Sequence, residues 1–186
     1  MSQSNSTERT EVAFIQRATQ YYIAGRYAAI AQLFPVCANL LHHAVEMYLK
    51  GMLSRHQSLD ELRGMKHNLK RAWRTFQRHF PEPHLKQFNA SISALHKFER
   101  LRYPDETLEK GMIGQFSLLR EHDTTLASFG KSPPPTFKFV LEDVDHLVTT
   151  IFEVGRVNPH FFLGSLNGTA RSYLTQSNAH PFPPAA

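Results

Sequence analysis

Residues 36 to 53, Val-Cys-Ala-Asn-Leu-Leu-His-His-Ala-Val-Glu-Met-Tyr-Leu-Lys-Gly-Met-Leu, constrain the fold more than any other stretch of this chain. At the helical advance per residue, Asn39, His42, His43, Glu46 and Lys50 fall within one arc of roughly 100°. Outside that arc stand Val36, Cys37, Leu40, Leu41, Val45, Met47, Tyr48, Leu49 and Met52, all apolar in character. A helix that is apolar around most of its circumference has to be packed on most sides. It is therefore expected to be the central helix of a bundle, carrying one narrow polar seam. That seam is either the strip that touches water or the floor of a site.

The chain has 186 residues, enough for one domain with a substantial core. No apolar run approaches the roughly 18 residues needed to cross a bilayer, so no membrane partner is expected. The first ten residues are polar and lack the apolar centre of a secretory signal. The single cysteine, Cys37, cannot form an internal disulfide, and on the apolar side of the helix it reads as a small buried hydrophobe. Together these features fit a cytoplasmic protein. The net charge of +5 is unevenly distributed. Arg63, Lys66, Lys70, Arg71, Arg74 and Arg78 occupy a stretch that contains no acid. Such a stretch attracts phosphate backbones or serves as a solvated helix face.

Read along the chain, residues 1–9 form a disordered lead-in, and helical spacing runs from about Thr7 to Ala24, where Gly25 is expected to stop it. Residues 26–34 suggest a short helical turn, and Pro35 suits the first turn of the central helix. Residues 55–66 form a polar connection with one helical turn at Ser58 to Leu62. A third helix is expected over 67–80, broken by Pro81-Glu-Pro, and a fourth over 84–101. Pro104 disfavours the helical conformation at Tyr103. Residues 105–135 read as an insertion or long loop with a helical piece near 114–128. A final helix is expected from Phe139 to Val157, followed by an irregular tail over 158–186. The expected fold class is all-α, an up-and-down bundle of about five helices spanning 10–157.

Three landmarks stand in order. They are Leu40-Leu-His-His-Ala-Val-Glu-Met-Tyr-Leu-Lys-Gly-Met-Leu53, Met65-Lys-His-Asn-Leu69 and Leu101-Arg-Tyr-Pro-Asp105. In this order and spacing they resemble the HEPN domain family (higher-eukaryote and prokaryote nucleotide-binding). That family has an Ala-x-x-Glu-x-x-Leu-Lys-x-Leu type of helix, a Gly-His-Asp-Leu step and an Arg-Tyr-Pro element. Here Lys66 and Asn68 replace the Gly and Asp of the second element. The resemblance implies a helical bundle that commonly dimerises. It implies either a ribonuclease with an Arg-x4-6-His motif near the last helix, or a non-catalytic module. The second kind binds a nucleotide, RNA or a partner protein, often a nucleotidyltransferase.

The nuclease motif is not carried at the family's position. Cleavage of RNA without a metal needs an imidazole to move protons and a guanidinium to hold phosphate. Arg74/His79 and Arg78/His84 have the required spacing, but about two such pairs are expected by chance. Positions five apart on a helix diverge by about 140°, and the second pair straddles Pro81 and Pro83. An atypical Arg74/His79 pair is the nuclease alternative. No metal site is expected. His42 and His43 point two ways around the helix, and the residue four after His42 is Glu46 rather than a second histidine. A His42/Glu46 or His43/Glu46 pair is the most the sequence offers. No phosphate-binding glycine loop or nucleophile elbow is present, and no cofactor is implied.

The polar seam joins the landmarks. Glu46 and Lys50 are spaced to pair, acid first, and if the bundle covers them they need further partners. By the family geometry those partners are His67, Arg102 and Asp105, with Tyr103 as a stacking surface or a core plug. The ligand-binding set is then Glu46, Lys50, His67, Arg102, Tyr103 and Asp105. The competing reading is a structural polar network that pins neighbouring helices. Function divides the same way: a non-catalytic HEPN-like binding module, a ribonuclease toxin, or a structural and regulatory helical dimer.

Overall fold

A computed structural model describes residues 2–123, 134–176 and 178–182. Helix α1 (Ser2–Ile30) and helix α2 (Val36–Leu53) form the backbone of the molecule. Helices α3 (Leu59–Gly64) and α4 (Leu69–His79) follow, then a 3-10 turn at Pro83–Phe88 leading into α5 (Asn89–Lys97). A second 3-10 turn, Phe98–Arg102, precedes the short helix α6 (Asp105–Lys110). Strands β1 (Ile113–Ser117) and β2 (Thr136–Val140) come next, separated by a one-turn 3-10 segment at Arg120–His122. Helix α7 (Leu141–Gly155) closes the bundle, and α8 (His160–Leu163) and α9 (Gly168–Gln176) lie beyond it.

The mainly helical expectation holds, but the chain is not purely helical. β1 and β2 pair in parallel, with Ile113 opposite Thr136 and Ser117 opposite Val140. The two-residue alternation of Phe137 and Phe139 sends both rings inward, where Phe98 meets them at 5.6 and 5.5 Å between centroids. Phe139 therefore belongs to a strand, and the last helix begins at Leu141. The helical piece expected near 114–128 is instead β1 and a 3-10 turn up to Asp123. Its remainder lies outside the described residues.

Gly25 does not stop the first helix. A Cβ at Gly25 would lie 2.8 Å from Leu41, and one at Gly51 would lie 2.8 Å from Ile15. Each glycine thus lets one helix press against the other. Their use is close approach of α1 and α2, and helical hydrogen bonding continues through Gly25 to Ile30. Helix α1 begins at Ser2, so the expected disordered lead-in is helical backbone. Gln32, with φ 55°, turns the chain out of α1. Ser58 caps α3 through a reciprocal capping box with Glu61.

The core lies along α2, where Leu41, Val45, Tyr48, Leu49 and Met52 are fully buried. It extends to Trp73 and Phe76 of α4, Ile92 and Leu95 of α5, and Val144, Leu147 and Ile151 of α7. Cys37 is buried here, and burial pushes its thiol up to about 11, which keeps it an unreactive core residue. The C-terminal segment is more ordered than an irregular tail. Tyr173 stacks on Tyr27 at 4.2 Å, Asn178 Nδ2 donates to Tyr22 Oη at 3.2 Å, and Phe182 packs on Phe152 at 5.2 Å. Beneath it, Arg26 Nε lies 3.1 Å from Asp145 Oδ1, with both side chains almost fully buried. No helix among the described residues is long and apolar enough to cross a membrane.

Candidate functional site

Most of the polar arc of α2 is buried, with Asn39 and His43 only partly so. Glu46 is 3% exposed, Lys50 8% and His42 not at all. The arc is covered by the turn that enters α4 and by the 3-10 turn at Phe98–Arg102. Because the seam is dry, every charge in it needs a partner, and the partners converge on one carboxylate.

Glu46 stands at the centre. Lys50 Nζ donates to Glu46 Oε1 at 2.6 Å and to the Lys66 carbonyl at 2.8 Å. Lys66 has φ 50°, in the left-handed region, and this turn aims its carbonyl at Lys50. Asn68 then caps α4, its side chain accepting from Arg71 N at 3.0 Å. The resulting chain path brings His67 back over α2. A carboxylate only accepts, so His67 Nδ1–H is the donor to Glu46 Oε2 at 3.1 Å. Burial pushes the Glu46 carboxyl up, but hydrogen bonds from His43, Lys50 and His67 and the Lys50 charge outweigh it, holding it at about 2.

Arg102 joins through His43. Its Nη2 lies 2.6 Å from His43 Nε2. A guanidinium has only donors, so His43 Nε2 must present its lone pair and carry its proton on Nδ1. That proton faces Glu46 Oε2 at 3.5 Å. The 3-10 geometry places residues three apart on the same side, which pairs Arg102 Nη1 with Glu99 Oε1 at 3.4 Å. The rings of His43 and His67 are 5.4 Å apart, and Tyr21 packs on His43 at 5.6 Å. The result is a rim of two imidazoles and a guanidinium, oriented from below by one ionised carboxylate.

Behind the rim sits His42. Its Nδ1 donates to the Leu95 carbonyl at 3.1 Å, and burial lowers its basicity. Its Nε2 faces Glu99 Oε2 at 3.6 Å and Glu46 Oε2 at 3.9 Å, without a hydrogen-bond partner. Candidate metal-ligating atoms of His42, His43 and Glu46 lie within 4.8 Å of one another.

Of the residues expected to form the site, Glu46, Lys50 and His67 are in direct contact, and Arg102 is linked to them through His43. Tyr103 is extended and 66% exposed, so it is not a core plug. Asp105 is exposed at the start of α6 and does not enter the cluster. Arg74 lines a shallow cleft with Trp73 and Asn89, while His79 stacks on His56 at 4.7 Å. Those two therefore serve different surroundings. His43 and Glu99 were missed as site members. The adjacent His42-His43 pair was the visible signal for one. Glu99 gave none, because only the 3-10 turn aims it inward. Comparison with family models, curated proteins and solved structures finds no match for this chain.

Proposed function

We propose that this chain is a non-catalytic binding module for a phosphate-bearing ligand, RNA or a nucleotide, recognised at the His43–His67–Arg102 rim. The observation that carries the reading is the convergence of two histidines on Glu46, with Arg102 joined to the cluster through His43. Lys50 is spent inside the seam on Glu46 and on the Lys66 carbonyl, so an incoming anion meets the rim instead. There the side chains of His67 and Arg102 are 51% and 34% exposed. His67 also leads directly into α4, whose Arg71, Arg74 and Arg78 are exposed along one stripe in a segment free of acids. A cationic stripe beside a fixed donor cluster suits a phosphate backbone.

The HEPN-like motifs support the same class of function. Lys66 adopts the left-handed conformation that glycine favours. Asn68 performs the capping role open to an aspartate. The two departures from the Gly-His-Asp-Leu step are thus compatible with its local geometry. The resemblance also implies a homodimer or a nucleotidyltransferase-type protein partner.

The test is fluorescence anisotropy with a short labelled single-stranded RNA and with ATP as competitor, across a salt series. Binding that weakens with salt and is lost in Arg102→Ala or His67→Ala supports the reading. Equal binding by Arg102→Ala and the unmodified protein refutes the rim as the site.

One observation favours a second reading, a metal-independent ribonuclease. His43 Nε2 offers a lone pair beside Arg102, with His67 close by. In that reading Arg102 shifts from His43 Nε2 onto the phosphate, and the freed lone pair takes the 2′-hydroxyl proton as the oxygen attacks phosphorus. His67 in its imidazolium form, its Nδ1–H held by Glu46, gives its Nε2 proton to the departing 5′-oxygen, and a cyclic phosphate remains. Cleavage of the labelled RNA that persists in EDTA and disappears in His43→Ala distinguishes it from binding alone.

A further inference from the structure

We propose that His42 Nε2, His43 Nδ1 and Glu46 Oε2 form a site for a divalent ion of the zinc class, and that filling it releases Arg102 from His43. Ligand atoms of these three residues lie within 4.8 Å of one another. Helical geometry explains how two adjacent histidines can share one ion. Successive residues diverge by about 100°, and Glu46, one turn further on, falls between the directions of His42 and His43. His42 Nε2 stands 3.9 Å and His43 Nδ1 3.5 Å from the same carboxylate oxygen. A second observation points to a ligand. His42 is fully buried, and its Nε2 has no hydrogen-bond partner. The Leu95 carbonyl holds the ring proton on Nδ1, so the orphaned atom beside Glu46 is a lone pair. A buried acceptor left unmet is costly, and a metal ion meets it.

The dimensions and surroundings fit. Zinc bonds of about 2.0–2.2 Å to nitrogen and carboxylate oxygen place tetrahedral ligand atoms about 3.4 Å apart. The His43–Glu46 separation already has that length, and the His42–Glu46 separation is about 0.5 Å wider. Two ligands have outer partners of the kind that orient metal ligands. His42 has the Leu95 carbonyl, and Glu46 has Lys50 on Oε1 and His67 on Oε2. Burial lowers the basicity of His42, and Glu46 is ionised, so both hold the protonation state that a metal requires. Glu99 Oε2, 3.6 Å from His42 Nε2, adds negative charge to the surroundings. His43 is 18% exposed at its side chain, which gives an ion a path inward. Water takes the fourth position, as at other sites with three protein ligands.

Arg102 is the obstacle to filling the site. Without metal, its guanidinium donates to His43 Nε2 at 2.6 Å, which leaves the His43 proton on Nδ1. Coordination takes the Nδ1 lone pair, so the proton moves to Nε2 and the ring neither gains nor loses one. Two donors would then face each other. Arg102, partly exposed, swings outward while keeping Glu99 Oε1, now 3.4 Å away. Its departure lets the His43 ring turn toward His42 and takes a positive charge away from the incoming dication. The metal ion and the Arg102–His43 contact therefore exclude one another.

The test is isothermal titration of the EDTA-treated, dialysed protein with zinc chloride, paired with NMR of the imidazole nitrogens before and after loading. The expected result is one saturable site per chain, with the His43 proton on Nδ1 before zinc and on Nε2 after it. His43→Gln should abolish the site, and at this partly exposed position the fold should survive. Arg102→Ala should bind zinc about tenfold more tightly, because a charge-assisted hydrogen bond no longer has to be broken. His84→Ala, at an exposed position, should leave the affinity unchanged. No saturable site, or equal affinity in His43→Gln and the unmodified protein, overturns the metal site. Zinc binding that is no tighter in Arg102→Ala overturns the release of Arg102. Zinc is titrated without RNA, so these results are separable from the rim reading.

Discussion

Replacing Glu46 by Gln is the most informative single change, because it keeps the shape of the seam and removes its central charge. Lys50 would keep the Lys66 carbonyl but lose its counter-charge, and the amide NH2 would take the place of one of the carboxylate oxygens that accept from Lys50, His43 and His67. In the folded protein the Glu46 carboxyl is held at about 2, against an ordinary value of 4.5. Each pKa unit is worth about 1.4 kcal/mol, so this depression contributes about 3 kcal/mol to stability. Removing one partner of a buried pair costs about 3–5 kcal/mol, in agreement. For a chain of this size, the loss of about 3 kcal/mol lowers Tm by about 6–12 °C. The sign follows from the direction of the shift. A depressed acid stabilises fully above its unfolded pKa and loses that contribution as pH falls through the folded value. Urea unfolding of the wild type and Glu46→Gln should therefore differ by about 3 kcal/mol at neutral pH. The difference should shrink between about 4.5 and about 2. A variant within 1 kcal/mol of the wild type at pH 7, or a gap that does not narrow in acid, would refute the reasoning.

Further predictions follow from the same contacts. Burial raises the Asp145 carboxyl from 3.8 to about 6 despite Arg26 and Tyr22 beside it. Its contribution is thus fully present below the unfolded value and is lost as pH rises through about 6. Asp145→Asn should flatten the stability profile in that window in urea titrations. Gly51→Ala should destabilise by about 1–3 kcal/mol by overpacking, since its Cβ would meet Ile15 at 2.8 Å. Calorimetry should show a lowered Tm. Lys66→Gly should stabilise by about 1 kcal/mol by relieving the left-handed backbone while keeping the carbonyl that serves Lys50. Arg102→Ala should weaken RNA binding about tenfold or more, as befits loss of a charge-assisted hydrogen bond, in anisotropy at fixed salt.

How much was legible in the sequence differs by element. The apolar circumference of α2 left no other place for that helix than the core, so its span and burial could be read directly. Glu46 and Lys50 were legible as a pair because both lie on one helix, where spacing alone sets geometry. His67 and Arg102 come from other elements, and only the ordered resemblance of three motifs suggested that they return to α2. Glu99 had no signal, because its direction depends on the chain tightening into a 3-10 turn after Lys97. His43 was visible but unranked, since adjacency to His42 says nothing about which ring meets Arg102. The strands were hidden for a related reason. Phe139 and Val140 sit where strand alternation runs straight into the stripe of α7, and the helical period claimed both. Gly25 misled because a glycine that permits close packing has the same letter as one that ends a helix.

The account rests on Glu46 orienting the two rim histidines, and long-range proton–nitrogen NMR of the imidazoles at neutral pH tests that most directly. The account predicts that His43 is held as the Nδ1–H tautomer with an unprotonated Nε2 facing Arg102, and that Glu46→Gln releases this preference. A wild-type His43 protonated at Nε2, or one indifferent to the loss of the Glu46 charge, would contradict it.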